Sequence, residues 1–144
     1  MDYVIGNPPY NSTGIVKKEH DCYSKLGTSK VATHAFMMKT IDALKDKGEF
    51  IFIIPTNFMV LQSGKNIRDY MYEHGYIKQL TILKDNPFKG FNMPGNVCII
   101  HYIKGIFNMK TVINNIHDNK KYTASILLTD YIPSLYGDIG YSIL

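Results

Sequence analysis

The residues best suited to chemistry are the consecutive Asn7, Pro8, Pro9 and Tyr10, which we call the hook. Proline rings fix φ and remove two N–H groups, and a residue before proline is held extended, so the hook is stiff. The Asn7 side-chain oxygen and the Pro8 carbonyl can each accept one hydrogen of an exocyclic amino group. The Tyr10 ring can stack on a flat base, as enzymes that act on a base taken out of its stack require.

The elements before and after the hook predict how it is positioned. Asp2 to Ile5 predicts the end of a buried strand, and Gly6 lets the backbone turn close to a ligand. Val31 to Lys47 predicts a helix, and Phe50 to Pro55 is a continuous apolar run typical of a strand buried on both faces. Strand, helix and strand form a right-handed βαβ unit, so the first two strands should be parallel neighbours.

The first predicted helix has an apolar stripe and a recognisable end. Its stripe comprises Met37, Ile41 and Leu44, with Phe36 widening it. Lys45 and Lys47 are predicted in the last turn, and Gly48 as the stop.

Thr56 to Gln62 follows the second strand. Because ligands bind at the carboxyl ends of strands in open α/β sheets, Asn57 should lie at the same edge as the hook. A second helix is predicted over 64–74, with Ser63 as its N-cap and Gly75 as its stop. Ile67, Tyr70 and Met71 form its apolar face, and Arg68 is predicted to be exposed.

The remaining strands are predicted from short apolar runs. Tyr76 to Leu83 and Val97 to Ile103 suggest an antiparallel pair that closes the edge of the sheet. Lys110 to Ile116 and Lys121 to Leu128 are candidates for two more strands.

Composition narrows the class of protein. The chain has 144 residues, enough for one domain, with 45% hydrophobic and 19% charged residues. A net charge of +4 is compatible with binding to nucleic acid without requiring it.

Cys22 and Cys98 lie far apart, which favours a reducing compartment over a disulfide. His20, Cys22 and His34 lack a second pair at ligand spacing, so no metal is expected. No leader and no apolar run of membrane-spanning length is present, so we expect a cytoplasmic protein.

The hook resembles the Asn-Pro-Pro-Tyr signature, motif IV, of N6-adenine DNA methyltransferases, and the longer form Ile5 to Asn11 looks like the branch in restriction–modification enzymes. Gly48 to Phe58 resembles the family's motif VI strand and its exit. The resemblance implies that Asn7, Pro8 and Tyr10 are catalytic and that Pro9 and Asn57 help to bind the base. It also implies that Phe91, or else Phe88, packs against the flipped adenine as in motif VIII.

The resemblance covers residues 1–104, the predicted catalytic half, and leaves 105–144 as an extension of unknown role. It implies an α/β fold that is half of a Rossmann-like methyltransferase sheet, with parallel strands, crossover helices and an antiparallel edge pair. S-adenosylmethionine is the implied cofactor, but no glycine-rich turn is found where the family has one. Asn7 is then the one assignable cofactor contact, and binding by the lone chain is expected to be weak.

Three functions remain open at this point. The first is an adenine-N6 DNA methyltransferase half, which acts on DNA when a partner chain supplies the donor-binding half. The second is a non-enzymatic decoy or regulatory module, and the third is a fragment of a protein-glutamine or ribosomal-RNA methyltransferase. The open edge of a half-sheet predicts self-association or pairing with a partner chain.

Overall fold

The computed structural model describes residues 1–10, 25–26, 31–59, 64–83, 97–108, 110–116 and 120–125. In chain order the elements are β1 (Tyr3–Gly6), α1 (Ala32–Ala43), β2 (Glu49–Pro55), a 3-10 turn (Thr56–Met59), α2 (Lys65–His74), β3 (Gly75–Ile82), β4 (Val97–Lys104), β5 (Lys110–Asn115) and β6 (Lys120–Ser125). The strands form one mixed six-stranded sheet in the order β1-β2-β4-β3-β5-β6. The two helices that the structure describes fall short of what a membrane span requires.

The predicted βαβ unit is confirmed. β1 and β2 are parallel neighbours, with Val4 opposite Phe50 and Gly6 opposite Phe52. The carboxyl ends of the two strands therefore meet at one edge of the sheet. The hook follows β1 at this edge, and the 3-10 turn follows β2.

The antiparallel pairing of β3 with β4 is confirmed, but its predicted place at the sheet edge is wrong. β4 lies between β2 and β3 and is antiparallel to both. β5 then pairs parallel to β3 and antiparallel to β6, so the hairpin β5–β6 extends the sheet beyond β3. The two C-terminal strands named as candidates are thus present as far as Ser125, and they belong to the same sheet as the hook.

The core lies between the two helices and one face of the sheet. Its central residues, all buried, are Met37 and Ile41 of α1, Ile67 and Met71 of α2, Phe50, Phe52 and Ile54 of β2, and Ile100 and Tyr102 of β4. The Phe50 ring stacks on those of Phe52 and Tyr102, with centroids 4.5 and 5.0 Å apart. The Tyr102 hydroxyl donates to the Met71 carbonyl at 2.6 Å, which ties β4 to α2.

β2 is not buried on both faces, as its unbroken apolar run predicted. Burial alternates along the strand, and the side chains of Glu49, Ile51 and Ile53 are only half-buried. The physical reason is that both described helices pack on the other face. β1 is likewise not a buried strand, because β2 is its one neighbour among the strands that the structure describes. Tyr3 and Ile5 are 72% and 80% exposed.

α1 ends earlier than its periodicity predicts. The helix stops at Ala43, because the following backbone bonds to other elements: the Lys45 N–H donates to Met1 O and the Lys47 N–H donates to Lys104 O. Lys45 and Lys47 therefore lie outside the helix. Gly48 is not the helix stop but part of the turn into β2, where a side chain would meet the Lys45 carbonyl at 2.8 Å.

The apolar stripe of α1 is confirmed except at one residue. Met37, Ile41 and Leu44 are buried, but Phe36 is 46% exposed. At about 100° per residue, Phe36 falls outside the arc that Met37, Met38 and Ile41 share. In α2 the predicted apolar face is present, and Gly75 caps the helix as predicted. The N-cap is Gly64 rather than Ser63, and Ser63 lies outside the described residues.

Candidate active site

The hook leaves the carboxyl end of β1 beside the last residues of β2. Asn7 is exposed, Pro8 is buried, and Pro9 and Tyr10 are half-buried. The hook therefore presents its asparagine to solvent while its prolines and tyrosine pack on the protein. This is the arrangement expected of a stiff segment that offers one polar side chain at a sheet edge.

Two hydrogen bonds tether the hook to neighbouring elements. The Thr33 hydroxyl, in the first turn of α1, donates to the Pro9 carbonyl at 2.6 Å. The Tyr10 hydroxyl donates to the Ile53 carbonyl of β2 at 2.8 Å. Burial, and to a lesser degree the nearby Cys98, raises the pKa of Tyr10 to about 12. The hydroxyl therefore stays protonated and keeps donating at neutral pH.

Cys98 is a buried free thiol of β4. Its burial raises its pKa far above the ordinary range. A thiol in that state is a poor nucleophile, because the thiolate is the reactive form. Cys98 is therefore a packing residue beneath the site rather than part of its chemistry.

The 3-10 turn after β2 forms the second wall of this edge. Arg68 of α2 reaches back to it, and its Nη1 donates to the Phe58 carbonyl at 2.7 Å. Gly64 packs against the same backbone: a Cβ there would lie 2.3 Å from the Phe58 oxygen. The prediction that Arg68 is exposed is wrong, because its side chain is fully buried. A guanidinium can be buried here because the turn offers it a backbone carbonyl.

His34 lies next to Thr33 in the sequence and is 3% exposed. Burial, and then the charge of Arg68, lowers the pKa of His34 from 6.5 to about 4. The imidazole is therefore neutral at physiological pH. Within the described residues, no three histidine, cysteine, aspartate or glutamate side chains come together as a metal site.

The structure brings together most of the residues that the sequence singled out. Asn7, Pro8, Pro9 and Tyr10 lie at one edge, and the turn that contains Asn57 follows the neighbouring strand. The side chain of Asn57 lies outside what the structure describes, as do Phe88 and Phe91 in their entirety. Sequence reasoning missed Thr33, which bonds to the hook, and Arg68, which bonds to the 3-10 turn. No local signal marks either one, since each bonds to a carbonyl distant in the sequence.

The arrangement suits positioning rather than acid–base chemistry. Tyr10 is the one side chain of the hook that titrates, and its raised pKa keeps it neutral. What the edge offers is an exposed amide, a stiff backbone and a partly exposed ring, all held by hydrogen bonds to β2 and α1.

Comparisons with known proteins agree on one kind of protein. The sequence model of the family described as Eco57I restriction-modification methylase matches residues 1–89. The type II methyltransferase M.HincII of Haemophilus influenzae is 31% identical over 113 residues, which are 72% of this chain and 22% of that enzyme. The type II restriction enzyme and methyltransferase RM.Eco57I of Escherichia coli is 30% identical over 88 residues, 56% of this chain and 9% of that enzyme.

Among solved structures, the methyltransferase subunit of a type I restriction-modification system from Streptococcus thermophilus superposes with a TM-score of 0.62 at 23% identity. The match covers 83% of this chain and 28% of that subunit. The likeness shows a shared fold, which is the Rossmann-like methyltransferase sheet expected from the sequence. The chain thus spans less than a third of each of these relatives.

Proposed function

We propose, because this chain belongs to the Eco57I restriction-modification methylase family, that it is the base-binding half of a DNA methyltransferase. The reaction is methyl transfer from S-adenosylmethionine to the N6 amino group of an adenine flipped out of DNA. Residues 1–104 carry this activity in our proposal, and 105–144 are an extension of unknown role, of which β5 and β6 extend the same sheet.

The observation that carries the proposal is the geometry of the hook. Asn7 is exposed at the carboxyl edge of two parallel strands, and the hook behind it is tethered to β2 and α1. In our proposal the Asn7 side-chain oxygen and the Pro8 carbonyl each accept one amino hydrogen of the adenine. The Tyr10 ring, with Pro9 beside it, stacks on the base, and Asn57 and either Phe91 or Phe88 complete the base pocket.

The described residues fit the cofactor only in part. Asn7 is the one residue that we assign toward it, and the sequence contains no Gly-x-Gly turn for the donor. When bound, S-adenosylmethionine supplies an electrophilic methyl group on a sulfonium. Accepting both amino hydrogens draws the nitrogen lone pair out of conjugation and directs it outward from the hook. Positioning of this kind is worth on the order of 7–11 kcal/mol for well-oriented reactants.

Among the described strands β1 lies at one edge of the sheet, and this edge supports a partner that completes the sheet. β1 pairs on one side with β2 and presents Tyr3 and Ile5, 72% and 80% exposed, on its surface. The half-buried side chains of Ile51 and Ile53 continue this apolar surface across the face that the described helices leave open. Unpaired strands with apolar side chains tend to recruit another chain. We propose that a donor-binding half pairs here, and that a second copy of the chain does so when that half is absent.

The test is methyl incorporation into DNA by the chain together with a donor-binding chain, one that carries a strand–Gly-x-Gly–helix unit and no Asn-Pro-Pro-Tyr. Asn7→Ala should lower turnover by about 10²–10³, the typical loss on removing one preorganised polar group. DNA affinity should change little, because phosphate contacts supply most of it. Tyr10→Ala should instead weaken capture of the flipped base by roughly 1–3 kcal/mol.

Asn108→Ala is the matched control, because Asn108 is an exposed asparagine just before β5. It lies where the parallel strands begin, whereas the hook lies where they end. This variant should keep wild-type turnover. If Asn7→Ala also keeps wild-type turnover, the hook is structural and the proposal is wrong. A decoy would show no methyl incorporation with any donor-binding chain.

A further inference from the structure

Thr33 is a buried residue that the proposed chemistry does not use. It lies in the first turn of α1, is 3% exposed, and donates to the carbonyl of Pro9, 24 residues earlier, at 2.6 Å. The N-cap of this helix, Val31, makes no side-chain capping bond, so Thr33 is not explained as part of a cap. Its hydroxyl serves the hook.

The bond acts where the hook is still able to move. Proline rings fix φ at Pro8 and Pro9, and the peptide planes are rigid, so ψ is the soft torsion that remains at each residue. A hydrogen bond to the Pro9 carbonyl fixes the plane of the peptide that joins Pro9 to Tyr10. The Tyr10 hydroxyl is fixed separately on the Ile53 carbonyl. The hook is therefore held at the Pro9 carbonyl and at the Tyr10 side chain, and because a residue before proline is kept extended, that orientation is carried back through Pro8 to Asn7.

The hydrogen bond from Thr33 also gives the two proline carbonyls different roles. The Pro9 carbonyl points to α1 and is occupied by Thr33, so it is not the acceptor that faces a substrate. The adjacent Pro8 carbonyl is oriented by the peptide that Thr33 fixes. Loss of the Thr33 hydroxyl would let this peptide rotate while the proline rings, the tyrosine ring and the asparagine all stay present.

We propose that Thr33 is a positioning residue for methyl transfer, one that aims the hook's two acceptors without touching the substrate. The inference rests on the proposed function of the hook. A positioning role differs from a role in folding, because loss of the Thr33 hydroxyl should slow the chemical step without weakening the binding of DNA.

The chain offers a matched control in Thr111. This threonine is 2% exposed, and its hydroxyl donates to the Ile77 carbonyl at 2.6 Å, between β5 and β3 and away from the hook. Thr33→Val and Thr111→Val thus remove the same group from the same kind of bond. Thr33→Ser keeps the hydroxyl and is the rescuing variant.

The experiment compares these variants in the completed methyltransferase. Thermal unfolding should show similar losses of stability for the two valine variants. With Thr33→Val, kcat should fall roughly 10–100-fold while KM for DNA stays unchanged, since a small misplacement can cost about 10²-fold. Thr111→Val and Thr33→Ser should keep turnover close to wild type. In 15N–1H spectra of the chain, the Tyr10 amide should shift with Thr33→Val and not with Thr111→Val.

Each other result overturns the proposal. Wild-type kcat in Thr33→Val means that the hook is aimed by other contacts. A raised KM with unchanged kcat means that Thr33 supports binding, and equal losses in both valine variants mean that only stability is at stake. Absence of methyl incorporation by the wild-type complex defeats the proposed function, and with it this inference. That outcome is distinguishable because the wild type is measured first.

Discussion

Acid should destabilise this fold through His34. The side chain is 3% exposed, and burial, followed by the charge of Arg68, lowers its pKa from 6.5 to about 4. Between these two values the unfolded chain binds a proton that the folded chain does not, so stability falls as the pH falls. The His34 contribution is fully present above about pH 6.5 and is lost progressively toward pH 4. The loss is about 2 kcal/mol between pH 7 and pH 5, approaching roughly 3 kcal/mol below pH 4.

Urea unfolding of the wild type and of His34→Gln, followed from about pH 7 to pH 4.5, isolates this effect. Glutamine is neutral throughout, so acid effects from carboxylates appear in both proteins and cancel in the difference. The free energy of unfolding should fall more steeply with acid in the wild type than in His34→Gln. Parallel pH profiles, or an NMR titration of His34 near pH 6.5, would refute the reasoning, because neither burial nor the charge of Arg68 would then lower the pKa of this imidazole.

Three further predictions concern the turn, the edge strand and the cofactor. Gly64→Ala would place a Cβ 2.3 Å from the Phe58 oxygen, so we expect a loss of about 1–3 kcal/mol in urea unfolding, and a variant as stable as the wild type would show that this contact is not close. The chain should self-associate at tens of micromolar, and Ile5→Lys should shift light-scattering masses toward the monomer; a monomeric wild type would contradict this. Calorimetric titration of the lone chain with S-adenosylmethionine should show weak or no binding, and micromolar affinity would contradict the assignment of the donor site to another chain.

The parts of the fold that the sequence predicts are those encoded locally. The hook, the helix and the apolar run of β2 each have a recognisable pattern, and the handedness of crossovers then leaves one arrangement of β1 beside β2. Local patterns also predict β3, β4 and the two C-terminal strands. The position of β4 between β2 and β3 is not predictable in this way, because a local pattern does not determine which strands pair with each other.

The errors at single residues have a common cause in tertiary contacts. The sequence predicts an exposed Arg68 because helical periodicity considers the apolar residues, and no local pattern indicates that a guanidinium bonds to a carbonyl ten residues earlier. α1 ends before Lys45 because that residue's N–H bonds to Met1 O at the start of the chain. The hydrogen bond of Thr33 to Pro9, 24 residues earlier, is not predictable for the same reason. The sequence therefore predicts the hook and its place at the end of β1, but not the residues whose hydrogen bonds hold it.

The central place of β4 has a consequence for the order in which this chain can fold during synthesis. β2 and β3 share no hydrogen bonds with each other, and each pairs with β4. The N-terminal strands can meet early, but β3 has no place in the sheet until residues 97–104 have emerged from the ribosome. Closing the sheet then requires one late strand to slide between two earlier ones, a contact of long sequence separation for β2 and of the kind that slows folding. A nascent chain that pauses before β4 exposes one open edge of β2 together with the whole of β3, so this stretch of translation is when a chaperone has the most to bind.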